Sequence, residues 1–191
     1  MEGIGDARGL LRKDMPQRKT ASHFAERVGR GQSSYSDYDR SIVDATGNWL
    51  AEEAPRHTDK PWALYVSFVT PHYPLVAPDE FFDLYDPDEM PMPRMYGADE
   101  RPRHPVIDTQ RHIWNYDDYF DEERVRLAIT AYYGLCSFMD FCIGRVLVAL
   151  DDCGLSDSTT VIYSSDHGEN LGNKGLWGKS VLYEESTAVP L

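Results

Sequence analysis

The feature that most constrains this chain is a pair of short apolar runs, each of which ends in a polar loop. WALYVSFV at 62–69 is continuous, aromatic and β-branched, and Pro61 and Pro71 bound it. TTVIYSS at 159–165 has the same character and runs straight into Asp166-His167-Gly168-Glu169. Runs of this length and composition predict strands buried on both faces, which belong to parallel sheets. Between them Ala128, Tyr132, Leu135, Met139, Ile143, Val146 and Leu150 form one long helical stripe over Glu122 to Asp152, stopped by Cys153-Gly154. Helices alternating with strands that end in polar loops predict an α/β fold, a mostly parallel sheet flanked by helices.

The rest of the chain is arranged around that core. Residues 1–34 are polar and Gly-containing and predict an irregular amino-terminal segment, with GRGQSS at 29–34 as loop. Tyr38, Ile42, Ala45 and Trp49 recur at spacings of three and four, which predicts a helix from about Ser36 to Glu53, capped by Ser36 or Asp37 and broken at Ala54-Pro55. A short helix is expected at 78–85. Pro87, Pro91, Pro93, Pro102 and Pro105 leave no room for a sustained pattern, so 87–120 reads as one long excursion of the kind that forms lids or insertions.

Composition excludes several classes. The 191 residues carry 32 acidic against 19 basic side chains, a formal charge of −13, while 41% are hydrophobic. Such a chain folds into one domain or part of a larger one, and it repels phosphate backbones and anionic lipid heads, so neither a nucleic acid nor a membrane is an expected partner. No uninterrupted apolar stretch approaches the roughly 20 residues of a bilayer span. The first residues, MEGIGDARGLLRKD, contain no signal-type apolar core. Compartment stays open between cytoplasm and periplasm, and oligomeric state is open as well. Cys136, Cys142 and Cys153 have no paired spacing and form no CxxC, so a disulfide scaffold or zinc cluster is not expected. Buried inert thiols are the expectation for Cys136 and Cys142.

Four residues stand where chemistry is expected. Asp166 and His167 leave a strand's carboxyl end, the edge at which open α/β sheets bind ligands, and a carboxylate beside an imidazole can grip a divalent cation. On the dipeptide alone a capped turn explains them equally well. Downstream, LGNKGLWGKS is a Gly-rich loop ending in Lys179, which beside a metal would suit an anionic ester oxygen; Lys174 is the competing lysine, expected in solvent. His72, in Thr70-Pro71-His72-Tyr73-Pro74, lies at the parallel strand end and suits proton transfer near neutral pH.

VIYSSDHGENLGNKGLWGKSVLYEESTAVPL, with PWALYVSFVTPHYPLVAPDEFFDLYDP and AYYGLCSFMDFCIGRVLVALDDCGL, resembles the sulfatase family of the alkaline-phosphatase superfamily, nearest its choline-sulfatase-like and arylsulfatase-like members. The resemblance runs from about residue 29 to 191. It implies part of an alkaline-phosphatase-like α/β sandwich over 35–191. It makes Asp166 and His167 metal ligands, His167 standing where other sulfatases often have Asn, and makes His72 and Lys179 catalytic, stabilising or protonating the departing alkoxide. The implied metal is calcium, with manganese as the alternative, and the implied substrate is a small-molecule sulfate ester. In that family a Cys or Ser of a C/S-x-P-x-R motif becomes formylglycine, whose hydrate attacks sulfur.

The chain departs from that pattern in three ways. It contains no C/S-x-P-x-R motif and no strand ending in paired aspartates, and Ala188 stands where many relatives have Arg. The chain therefore reads as an internal fragment of a sulfuric ester hydrolase, expected to be inactive alone. Alternatives are a phosphonate monoester or phosphodiester hydrolase of the same superfamily, or a non-catalytic remnant acting as a structural or binding module.

Overall fold

The computed structural model describes residues 16–18, 20–57 and 59–190. The chain forms two compact units, one from Met1–Val28, Pro87–Ile129 and Tyr163–Leu191, the other from Gly29–Asp86 and Thr130–Ile162.

In the second unit, helix α2 (Ser34–Glu52) starts two residues before the predicted Ser36, because the polar pair Ser33 and Ser36 closes a capping box. Ser36 N–H donates to Ser33 Oγ at 3.2 Å and Ser33 N–H to Ser36 Oγ at 3.1 Å; such caps contribute about 1 kcal/mol. The buried face differs from the predicted one. Tyr38 is exposed, while Ser36, Asp39, Thr46 and Leu50 are enclosed. Asp39 is what the helix turns inward, and its carboxylate is consumed by backbone donors described below.

Strands β1 (Val28–Arg30) and β2 (Leu75–Ala77) form a two-stranded sheet, extended by Gly31 N–H donating to Ala77 O at 2.8 Å. Helix α3 (Asp79–Phe82), shorter than the predicted 78–85, sets Phe81 edge-on against Phe138 with centroids 5.4 Å apart. Phe138 is fully buried on α5 (Glu122–Asp152), the long helix the stripe predicted. A Cβ at Gly134 would lie 2.9 Å from that of Ala77, so this helix passes closer to β2 than any side chain allows. Alone in its length and composition among the described helices, α5 is long and apolar enough to cross a membrane, a possibility the search for uninterrupted apolar runs missed because Asp140 and Arg145 interrupt it. Core helices meet the same criterion, and Leu135, Phe138, Cys142 and Leu150 are buried within protein.

The two predicted strands are corrected. Neither 62–69 nor 159–165 is a strand, and residues 62–68 and 160–165 make no backbone–backbone hydrogen bond with another described residue. Tyr65 is 89% and Ile162 84% exposed. Composition specifies what a segment would bury beside neighbours, but a ladder exists only when an adjacent strand supplies the donors and acceptors.

The first unit holds α1 (Thr20–Glu26), inside the segment expected to be irregular, and α4 (Pro105–Trp114), inside the excursion. Pro105 breaks no helix because it stands in the first turn, where its fixed φ suits the start, and His104 caps it by accepting from Val106 N–H at 3.3 Å. The core is aromatic: Phe120 stacks on Trp177 at 4.4 Å, and Phe24 packs on both. Arginines pin the excursion. Arg101, its side chain 8% exposed, pairs with Asp117 at 2.6 Å, and Arg111 Nε donates to Lys174 O at 3.1 Å.

Candidate metal-ligand turn and anion loop

In the first unit, Asp166-His167-Gly168 is locked in place by a fold-back of the chain. Helix α6 (Glu184–Thr187) presents Ser186 O, which accepts Gly168 N–H at 3.0 Å. A Cβ on Gly168 would lie 2.2 Å from Glu185 O, so only glycine permits this approach. Buried Ser186 secures the turn by donating its hydroxyl to Val181 O at 2.6 Å.

That arrangement sets the imidazole's tautomer. His167 Nδ1 lies 2.8 Å from Gly168 O, and since a carbonyl only accepts, Nδ1 carries the hydrogen. The lone pair is then on Nε2, which lies 3.7 Å from Asp166 Oδ2. A ring anchored through one nitrogen with its other nitrogen beside a carboxylate is the usual preparation of a metal-ligating His. Asp166 is 87% and His167 30% exposed at the side chain, so both are accessible. Together they offer two donors to a cation that takes about six. Among the described residues no group of three or more His, Cys, Asp or Glu is gathered to hold a metal. The donor set fits one part of a divalent site, and further ligands must come from elsewhere.

Lys179 is exposed and follows Gly178, whose φ of 74° lies in the left-handed region. Lys174 is not in solvent as expected. Its ammonium pairs with Glu185 and sits 4.7 Å from the Tyr183 ring centroid, both charged side chains being mostly buried. The Lys174 hydrogen bond holds the Glu185 carboxyl below the usual carboxylate range. Of the two lysines in the Gly-rich loop, Lys174 is a tether and Lys179 is the exposed one. Glu169 was indistinguishable in the sequence from an exposed acid. Its half-buried carboxylate accepts Leu171 N–H at 3.0 Å and Gly178 N–H at 2.6 Å. Burial pushes that carboxyl above its ordinary range, while these two bonds and the charges of Lys179 and His167 pull the other way.

His72 belongs to the second unit. His72 Nδ1 lies 2.8 Å from Tyr73 O, so Nδ1 carries the ring hydrogen, and the ring meets Tyr35 edge-on at 6.0 Å. Asp39 holds the loop that carries it: Val69 N–H donates to Oδ1 at 2.8 Å, and Thr70 N–H and hydroxyl donate to Oδ2 at 2.9 and 2.6 Å. No sequence pattern pointed to Asp39. The one available signal was an acid three residues from Ser36 on a helix whose apolar positions do not form a full face.

The sulfatase family model matches residues 8–191. The chain is 36% identical over 166 residues to a choline-sulfatase of Rhizobium meliloti, covering 84% of this chain and 31% of that protein. It is 34% identical over 152 residues to an arylsulfatase of Clostridium perfringens, covering 75% of this chain and 30% of that one. It thus spans about a third of the length of the curated relatives it matches. Its fold is that of alkaline-phosphatase-like hydrolases. A phosphonate monoester hydrolase of Agrobacterium radiobacter superposes with a TM-score of 0.68 at 23% identity, over 98% of this chain and 39% of that one. The enzyme from Silicibacter pomeroyi gives 0.60 at 23% identity, over 97% and 39%. Sulfatases generally use a divalent metal, and with a family model matched along nearly its whole length this chain belongs to the sulfatase family.

Proposed function

We propose that this chain supplies one part of the active site of a sulfuric ester hydrolase: Asp166 and His167 as metal ligands, Lys179 and His72 as catalytic residues at the ester. The observation that carries the reading is the locked His167 ring, whose Nε2 lies 3.7 Å from Asp166 Oδ2. The family resemblance points to calcium, with manganese as the alternative, and of the two donors it is the Asp166 carboxylate that suits a hard cation. Such an ion supplies charge that polarises a bound ester and neutralises its oxygens. The chain's own residues do the rest. Lys179 presents an ammonium to an anionic sulfate oxygen, and His72, tethered through Nδ1, enters as the imidazolium, gives its Nε2 proton to the departing alkoxide and is left as the neutral ring with its hydrogen on Nδ1. The formylglycine nucleophile of the family lies outside this chain, since no C/S-x-P-x-R occurs in it. Residues 35–191 would be the catalytic portion, and the substrate a small-molecule sulfate ester.

Titration of the chain with calcium and manganese, followed by calorimetry, tests the metal assignment. Weak saturable binding that disappears in Asp166→Ala supports it. Binding indifferent to that change, or no binding, overturns it and favours a non-catalytic module. A second reading, hydrolysis of phosphonate or phosphate esters, is favoured by the solved neighbours, both titled phosphonate monoester hydrolases. Assay with 4-nitrophenyl sulfate and the matching phosphorus esters addresses both. The 191-residue chain alone is expected to turn over none of them, and sulfate turnover by it would refute a nucleophile located elsewhere.

A further inference from the structure

Glu169 has no part in the chemistry above, yet it lies two residues beyond His167 and reaches across the Gly-rich loop. Its Oε1 accepts Gly178 N–H at 2.6 Å and Leu171 N–H at 3.0 Å. On the other side of the same residue, Gly178 O accepts Asn170 N–H at 3.0 Å and also the Asn170 side-chain amide. Both backbone groups of Gly178 are therefore bonded to residues 169 and 170. Gly178 takes φ of 74°, and a Cβ there would meet nothing within 4 Å, so the left-handed backbone and not a close approach is what asks for glycine at this turn. Lys179 comes next, exposed at the surface of that turn.

We propose that Glu169 is a positioning residue, whose carboxylate ties Gly178 to the turn carrying Asp166 and His167 and thereby fixes where the Lys179 ammonium meets an anionic ester oxygen. The proposal rests on the reading of Lys179 as the anion contact. An acceptor for two N–H groups would be enough to shape a loop. What distinguishes positioning is that anion affinity at Lys179 depends on the same bond. A lysine on a turn that has lost this bond samples more placements, and each costs ordering entropy when an anion binds.

The test uses the full chain and four variants: Glu169→Ala, Glu169→Gln, Glu169→Asp and Lys179→Ala. Amide hydrogen exchange at Gly178 reads the tie, and NMR titration with inorganic sulfate, followed at Lys179, reads anion affinity. Loss of one hydrogen bond to a carboxylate is expected to speed Gly178 exchange about tenfold in Glu169→Ala. Sulfate affinity should fall at least about threefold with it. Glu169→Gln, which keeps an acceptor at the same reach, should retain both. Glu169→Asp, which keeps the charge but shortens the arm, should lose both, so this pair decides the question if the alanine variant does not fold. Unchanged Gly178 exchange in Glu169→Ala overturns the tie. Faster exchange with unaltered sulfate affinity reduces Glu169 to loop support and overturns positioning. If Lys179→Ala leaves sulfate binding intact, the reading of Lys179 fails and the proposal with it, while the exchange data still report whether the tie exists.

Discussion

Asp39 is fully buried and satisfies three donors at the start of the His72 loop. Hydrogen bonds to a charged group are worth about 1.5–3 kcal/mol each, and Asp39→Ala would strand two backbone N–H groups. Urea unfolding should show a loss of about 3 kcal/mol or more, with Asp39→Asn losing less. The Lys174–Glu185 pair makes a prediction of opposite kind, about pH. Its folded-state carboxyl is held below the ordinary value, so its contribution is present above the unfolded-state pKa and vanishes as pH falls through the lower folded one. Lys174→Met should therefore cost about 1 kcal/mol at pH 7, and the gap from the native chain should close below about pH 4.3. Of the two cysteines expected to be buried, Cys142 is buried and Cys136 is partly exposed. Burial pushes the Cys136 and Cys142 thiols up to about 11. At pH 8 an alkylating reagent should label Cys153 first, and the other two only after denaturation, as peptide mass spectrometry would show.

At the scale of elements, the runs 62–69 and 159–165 are the chain's main liability. Leu64, Tyr65, Val161, Ile162 and Tyr163 are exposed, and 62–68 and 160–165 make no ladder bond with another described residue. Apolar β-prone segments in that state invite pairing with another chain. Tyr65→Lys combined with Ile162→Lys should lower self-association in sedimentation velocity, while thermal stability stays within about 0.5 kcal/mol because neither side chain is enclosed. Unaltered association would show that these segments are not the contact. The helices were legible to different degrees. Helix α5 was read correctly because its apolar period persists over many turns, although of the seven stripe residues only Ala128, Leu135 and Leu150 are buried. Helix α2 was placed but its face was not, since a buried Asp39 carries no apolar signal. Helix α4 was missed because prolines were counted as breakers without regard to position, and Pro105 stands where a helix begins.

For the whole molecule, charge is the dominant global term. A net −13 raises the energy of the compact state by self-repulsion, which salt screens over roughly 10 Å at 0.1 M. Raising sodium chloride from low ionic strength to about 0.15 M is expected to increase the thermal midpoint in calorimetry; a decrease would show that local ion pairs such as Arg101–Asp117 outweigh the excess charge.

The sequence by itself determined the family and the residue types at two loop ends, because DHGE, TPHYP and LGNKGLWGKS are local strings whose chemistry is present in their order. It also determined the long helix, whose apolar period needs no partner to be read. Tertiary structure alone decided that Lys174 is a tether, that Glu169 and Asp39 hold backbone, that His167 carries its hydrogen on Nδ1, and that two strand-like runs form no ladder. Each of these depends on which donor or acceptor lies within about 3 Å. Residues such as Asp39 and Val69 are 30 positions apart in the chain, and no local pattern encodes their meeting.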